Sequence, residues 1–176
     1  MRVMILAAGM LLAVTGGTAT AGEQPIGEAI HQGGMEIGAV YLQPVEMEPA
    51  MADQDAATTD VHLETDIHAD KENKNGFAVD NWIPYLIVDY RLTKKGSNWT
   101  RSGILEPMVA NDGPHYGANV KLDGPGAYHL TVQVKPPAGH SFMRHVDKET
   151  WVGPWFAPID FQGDFKFVGT GKKGGY

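Results

Sequence analysis

The sequence predicts an all-β chain built as a single domain. Three observations carry that prediction. Twenty-two glycines and eleven prolines are spread between short runs rich in β-branched and aromatic residues. The stretch YHLTVQVKPP alternates, with Tyr128, Leu130, Val132 and Val134 on one side and His129, Thr131, Gln133 and Lys135 on the other. That is the pattern of an antiparallel strand with one buried face. Beyond the N-terminal segment, nothing sustains a helical period. Short strands with turn signals at this length favour a two-sheet, immunoglobulin-like sandwich.

The elements follow in chain order. Residues 1–21 begin with Arg2, continue through an apolar run to Val14 and end in Ala19-Thr20-Ala21, which fits the small-residue cleavage rule of a secretory signal peptide. Removal of this leader leaves one domain of 155 residues, 22–176, long enough for a real core. Strands are expected near 36–45 (EIGAVYLQPV), 61–69 (VHLETDIHA), 82–94 (WIPYLIVDYRLTK), 118–122, 128–137 and 165–169. EMEPAMADQDAAT at 46–58 reads as a polar connection containing methionine, and DKENKNG at 70–76 as a solvated turn. EPMVANDGPHYG at 106–117 reads as a loop, turned by Asn111-Asp112-Gly113-Pro114.

Composition narrows the function. Without Arg2 the chain carries 13 basic and 21 acidic residues, a formal charge of −8. That argues against a nucleic-acid partner, whose phosphates demand a basic surface, and suits a cationic one. The leader directs the chain to the periplasm or outside the cell. In that oxidising compartment the absence of cysteine excludes a disulfide framework, a thiolate nucleophile and a blue-copper centre.

Two segments carry candidate chemistry. In DVHLETDIHA a strand puts Val61, Leu63, Thr65 and Ile67 on one face and His62, Glu64, Asp66 and His68 on the other. His62 and Glu64 stand roughly 6.6 Å apart along the strand, close enough to share an ion, whereas His68 is about 20 Å from His62 and reads as structural or solvated. The second segment holds Met108 and His115 on either side of its turn. Imidazole suits copper, iron and zinc, thioether favours copper, and carboxylate favours harder ions. A methionine is ordinarily core filler and a lone histidine ordinarily a satisfied one. The two segments together point to a metal site. Because a ligating imidazole must be neutral, copper affinity is expected to fall as pH drops through about 6.5.

DVHLETDIHA, EPMVANDGPHYGANVKL and RHVDKETWVGPWFAPI, in that order along the chain, resemble the periplasmic iron-transport proteins that bind copper, the family sometimes called Tpd. The likeness runs over most of the mature chain. It implies an immunoglobulin-like homodimer with a metal site at the subunit boundary. Matched motif by motif, it assigns His62 and Glu64 from the first strand, and Met108 and His115 from the central segment. His145, in FMRHVD, would reach across from the partner subunit, and Asp112 is a further candidate from the loop. His129 and His140 receive no assignment. Trp151 stands where the family motif leads one to expect glycine.

The resemblance implies a non-enzymatic protein of iron uptake, with copper at the His/Met/Glu site, iron at or near it, and a high-affinity permease of the inner membrane as recipient. Glu46, Met47, Glu48 and Met51 offer an auxiliary acidic site or a simple surface connection. The alternative from another class is a copper-dependent redox enzyme, a metal oxidase or a superoxide-handling protein. No nucleophile–base pair accompanies the ligands.

Overall fold

The computed structural model describes residues 22–169; the expected leader, residues 1–21, lies outside them. Nine strands make up the described chain: β1 (Gln24–Pro25), β2 (Ile30–Gln32), β3 (Met35–Leu42), β4 (Val61–Ala69), β5 (Ile87–Lys94), β6 (Thr100–Val109), β7 (Pro114–Val120), β8 (Gly126–Lys135) and β9 (Ile159–Phe167). One 3-10 turn spans Ala52–Gln54. The all-β expectation holds. No helix among the described residues is long and apolar enough to cross a membrane.

The strands form one antiparallel ladder in the order β1-β3-β4-β7-β6-β5-β8-β9, with β2 added against β3. β6 changes partner part-way. Thr100–Leu105 pairs with β5, and Glu106–Val109 pairs with β7. A strand that switches partners is how a sheet turns back over itself to enclose a core. The inward positions form one cluster, in which Tyr116, Tyr128, Phe161, Phe167, Ile37 and Leu63 are among the largest fully buried side chains. β8 and β9 show the plain alternation expected of strands with one wet face.

Two departures from the sequence reading have local causes. The run 82–94 is not one strand: Trp82 makes an isolated bridge to His68, and regular pairing begins only at Ile87. Pro84 supplies no N–H for a ladder, and Tyr85 sits at φ 62°, in the left-handed region. Tyr116 pins this break, its hydroxyl donating to the Ile83 carbonyl at 2.8 Å and accepting from the Leu86 N–H at 3.0 Å. Burial pushes that phenol up to about 12.

The second departure concerns the loop expected at 106–117. Most of it is a hairpin, with Met108 directly opposite His115 and only the tip between Val109 and Pro114 outside the strands. The other arm of that hairpin, β6, lies where no strand is expected from the sequence, and it contains Gly103 and Pro107, each of which has a place there. A Cβ on residue 103 would lie 2.7 Å from the Tyr90 ring, so glycine lets that tyrosine pack flat on the strand. Pro107 falls beyond the point at which β6 changes partner.

Candidate metal centre

The outward face of β4 builds the centre. Since β4 alternates, its inward side is committed to the core and His62, Glu64, Asp66 and His68 share the other side. On the neighbouring β7 the same side carries His115, Gly117 and Asn119. The register sets His62 opposite Asn119 and Glu64 opposite Gly117. An outward face is normally wet, but from Val61 to Thr65 every residue of β4 is buried. Residues 45–48 and the tip of the β6–β7 hairpin border this patch and close a cavity of about 840 Å³ over it.

His62, Glu64 and His115 each offer one ligand atom, and these atoms lie within 4.8 Å of one another. The space for them comes from Gly117. A Cβ there would fall 2.6 Å from His62 Nε2 and 3.2 Å from His115 Cδ2, so only glycine lets both rings lie over the strand. The rings meet edge to face, with centroids 5.7 Å apart. His62 Nδ1 is 2.9 Å from Asn119 Oδ1, and His115 Nδ1 is 3.2 Å from Glu64 Oε1. The remaining ring nitrogens, His62 Nε2 and His115 Nε2, are buried without a hydrogen-bond partner among the described residues. A buried polar atom left unpaired costs about 1–3 kcal/mol, so two on neighbouring rings mark a place shaped for something else.

The electrostatics agree with a cation. Burial lowers His62 to about 4, against a smaller upward pull from Asn119, and the neighbouring His115 lowers it further. Burial lowers His115 too, with Asp66, Asp112 and the Gly113 backbone pulling it back up. Both imidazoles are thereby kept neutral, the form that binds metal. Protonation of His62 therefore competes with metal well below the 6.5 expected from the sequence. Glu64 is raised to about 8, first by burial and then by Asp66, Glu23 and Asp112. Asp66 and Glu23 are raised as well, each chiefly by burial. A group of carboxylates driven to hold protons is a group short of positive charge.

The sequence-predicted residues separate into two sets. His62, Glu64, Met108, His115 and Asp112 all line the one cavity, with Met108 half-buried and Asp112 exposed. Glu46, Met47 and Glu48 border it as well, whereas Met51 lines a neighbouring depression. His145 does not line it. It is exposed on the long β8–β9 connection, its Nδ1 2.8 Å from Thr150 Oγ1, and Trp151 is 61% exposed nearby. His68 is half-buried beside Trp82, His129 Nδ1 lies 2.7 Å from Asp164 Oδ1, and His140 is exposed in a turn. Three residues escaped the sequence reading: Glu23, Gly117 and Asn119. Alternation along β7 puts Gly117 and Asn119 on the side of His115, a signal available once that stretch is read as a strand.

The model of the Fe2+ transport protein family matches residues 20–169. The chain belongs to that family. The family is one of transport, not catalysis, in agreement with the expectation that the chain is not an enzyme. A UPF0423 protein of Brucella abortus is 56% identical over 161 residues, covering 90% of this chain and 88% of the relative. Among solved structures, the copper-reconstituted P19 protein of Campylobacter jejuni is 49% identical, with a TM-score of 0.81 over 86% of this chain and 99% of P19. FetP of uropathogenic Escherichia coli strain F11, expressed recombinantly in the periplasm, is also 49% identical. Its TM-score is 0.80 over 84% of this chain and 97% of FetP. The Fe2+ transport family thus includes this chain.

Proposed function

We propose that this chain is a periplasmic metal-binding protein of iron uptake. It holds copper through His62, Glu64, Met108 and His115, takes iron at or beside that site, and hands iron to a high-affinity permease of the inner membrane. The observation that carries this reading is the cluster of His62, Glu64 and His115, whose ligand atoms lie within 4.8 Å of one another and whose two imidazoles each keep a buried, unpartnered Nε2. Two imidazoles with a thioether nearby are a donor set for copper, and the carboxylates of Glu23, Glu46, Glu48 and Asp112 along the same cavity suit a harder ion such as iron. Membership in the Fe2+ transport family and the likeness to copper-reconstituted P19 support the same assignment. The leader expected at residues 1–21 and the periplasmic expression of FetP support the location.

In this reading the ladder folded about β6 is an immunoglobulin-like sandwich and the working unit is a homodimer. At the border of the cavity Met108 is half-buried and Asp112 exposed, which leaves room for His145 of the partner subunit to complete the coordination.

Titration calorimetry tests the centre. The variant with His62→Ala and Met108→Ala loses one copper site per chain, and unchanged stoichiometry and affinity would remove the proposal. Copper(II) outcompetes iron(II) at almost any such donor set, so copper binding in vitro does not establish the cargo. Growth of a strain lacking the protein, with and without iron limitation, decides that. Neutral replacement of Glu46 and Glu48 weakens iron binding if the acidic border serves iron.

A further inference from the structure

We infer that Asn119 is the positioning residue of the centre: it holds His62 with its proton on Nδ1 and its Nε2 lone pair facing the cavity, and it fastens that imidazole to the Val45–Gln54 segment. The inference rests on the reading of His62 as a metal ligand.

The orientation of a side-chain amide is usually inferred, since its oxygen and nitrogen look alike. Here three backbone groups fix it. Asn119 Nδ2 donates to the Val45 carbonyl at 2.7 Å and to the Gln54 carbonyl at 2.8 Å, while the Val45 N–H donates to Asn119 Oδ1 at 3.1 Å. Rotating the amide by half a turn would set an NH2 against an N–H and a carbonyl against two carbonyls. Oδ1 is therefore the atom 2.9 Å from His62 Nδ1. An acceptor at that position requires a proton on Nδ1, and a neutral imidazole has only one. The lone pair is on Nε2, the atom that is buried and unpartnered.

Asn119 is 2% exposed, and all of its amide capacity is used. Its backbone N–H is engaged as well, by Gln54 Oε1 at 3.0 Å. Metal-bound histidines generally donate their second ring N–H to a carboxylate, carbonyl or water, which fixes tautomer and ring angle. Asn119 supplies that acceptor without adding a charge to a cavity already bordered by acids. The same amide also closes the 45–54 segment, which brings Glu46, Met47 and Glu48 to the cavity. One side chain therefore sets both the ligand and its acidic border.

Long-range proton–nitrogen correlation on the metal-free wild type is expected to show the His62 proton on Nδ1. A proton on Nε2 overturns the inference with no variant needed. Asn119→Ala, judged folded by its amide spectrum, is expected to mix the His62 tautomers and to lower copper(II) affinity about 10–100-fold in a competition titration. Amide exchange over residues 45–54 is expected to speed up. Asn119→Asp keeps the acceptor but loses both donors, so it restores the Nδ1 tautomer while leaving the segment fast to exchange. A folded Asn119→Ala variant with wild-type tautomer and affinity overturns the inference alone, provided His62→Ala abolishes binding. A wild type that holds no copper, or binds it equally well as His62→Ala, overturns the metal reading and with it any role for Asn119 toward a metal.

Discussion

Met108 and His115 face each other across the β6–β7 hairpin, a directly paired couple in the ladder. A thioether and an imidazole are thus set by strand register and not by a flexible loop, which fixes their separation before any ion arrives. Met108→Leu keeps the volume and removes the sulfur. It is expected to weaken copper(I) binding by about tenfold or more, equivalent to roughly 1.4 kcal/mol, and copper(II) binding less, because thioether prefers the softer ion. Competition titrations in each oxidation state would show the difference, and equal losses would place the sulfur outside the coordination.

Gly117→Ala tests the cradle beneath the two imidazoles. The backbone there is ordinary, so the effect is steric: the added methyl meets His62 Nε2 at 2.6 Å. Overpacking of this kind costs on the order of 1–3 kcal/mol. Urea denaturation is expected to show that loss together with a collapse of metal affinity. Wild-type affinity in this variant would mean that the rings do not bind over Gly117.

The raised carboxyl of Glu64 makes a pH prediction with a definite sign. Its folded value of about 8 lies above the ordinary 4.5. Below 4.5 folded and unfolded chains both carry the proton, and nothing is lost. Between 4.5 and 8 the unfolded chain releases it while the folded chain retains it, so stability of the metal-free protein declines as pH rises, with the full cost present above 8. Glu64→Gln, which has no charge to bury, is expected to remove this decline and to exceed wild type at pH 8.5 by on the order of 1–3 kcal/mol. His62 acts at the other end. With a folded value near 4 against 6.5, it costs stability as pH falls from 6.5 towards 4 in both proteins.

Proton release on loading checks the same carboxyl by another route. Below pH 8 an ion bound by Glu64 displaces its proton, so the calorimetric heat at pH 7 is expected to vary with the ionisation enthalpy of the buffer. The variation disappears in Glu64→Gln. A buffer-independent heat in wild type would show that the carboxyl stays protonated with metal bound.

The proposed dimer predicts linkage. If His145 of the partner subunit completes the coordination, copper tightens dimerisation by the free energy with which dimerisation tightens copper. Sedimentation equilibrium is expected to show the coupling in wild type and its loss in His145→Ala. Dimerisation without coupling would keep the interface and remove His145 from the centre.

Much of this was legible in the sequence because alternation is a strong signal where both faces of a strand are committed. β4 shows it plainly: five apolar or small residues inward, two histidines and two acids outward. β8 was legible for the same reason. β6 was not, since Gly103 and Pro107 read as breakers in a sequence, and only the Tyr90 ring and the change of pairing partner give them a place. The loss of β6 concealed the hairpin, and with it the alternation that groups Gly117 and Asn119 with His115. Glu23 was out of reach altogether, being brought to the cavity by pairing of β1 with β3 that no local pattern announces.

The centre is mounted on the outside of a sheet whose inside is the core, and this fixes the order of events in the protein's life. No apolar contact of the core waits on a ligand atom, so the fold can be complete before any ion is met. In the proposed function the ion is then selected by a finished surface, in whatever compartment the chain has reached, and not by a folding chain that would accept the first cation to bind it. The same separation leaves the outward row of β4 and β7 open to change. Donors there can be exchanged one at a time, and the metal preference retuned, while the hydrophobic interior keeps its composition.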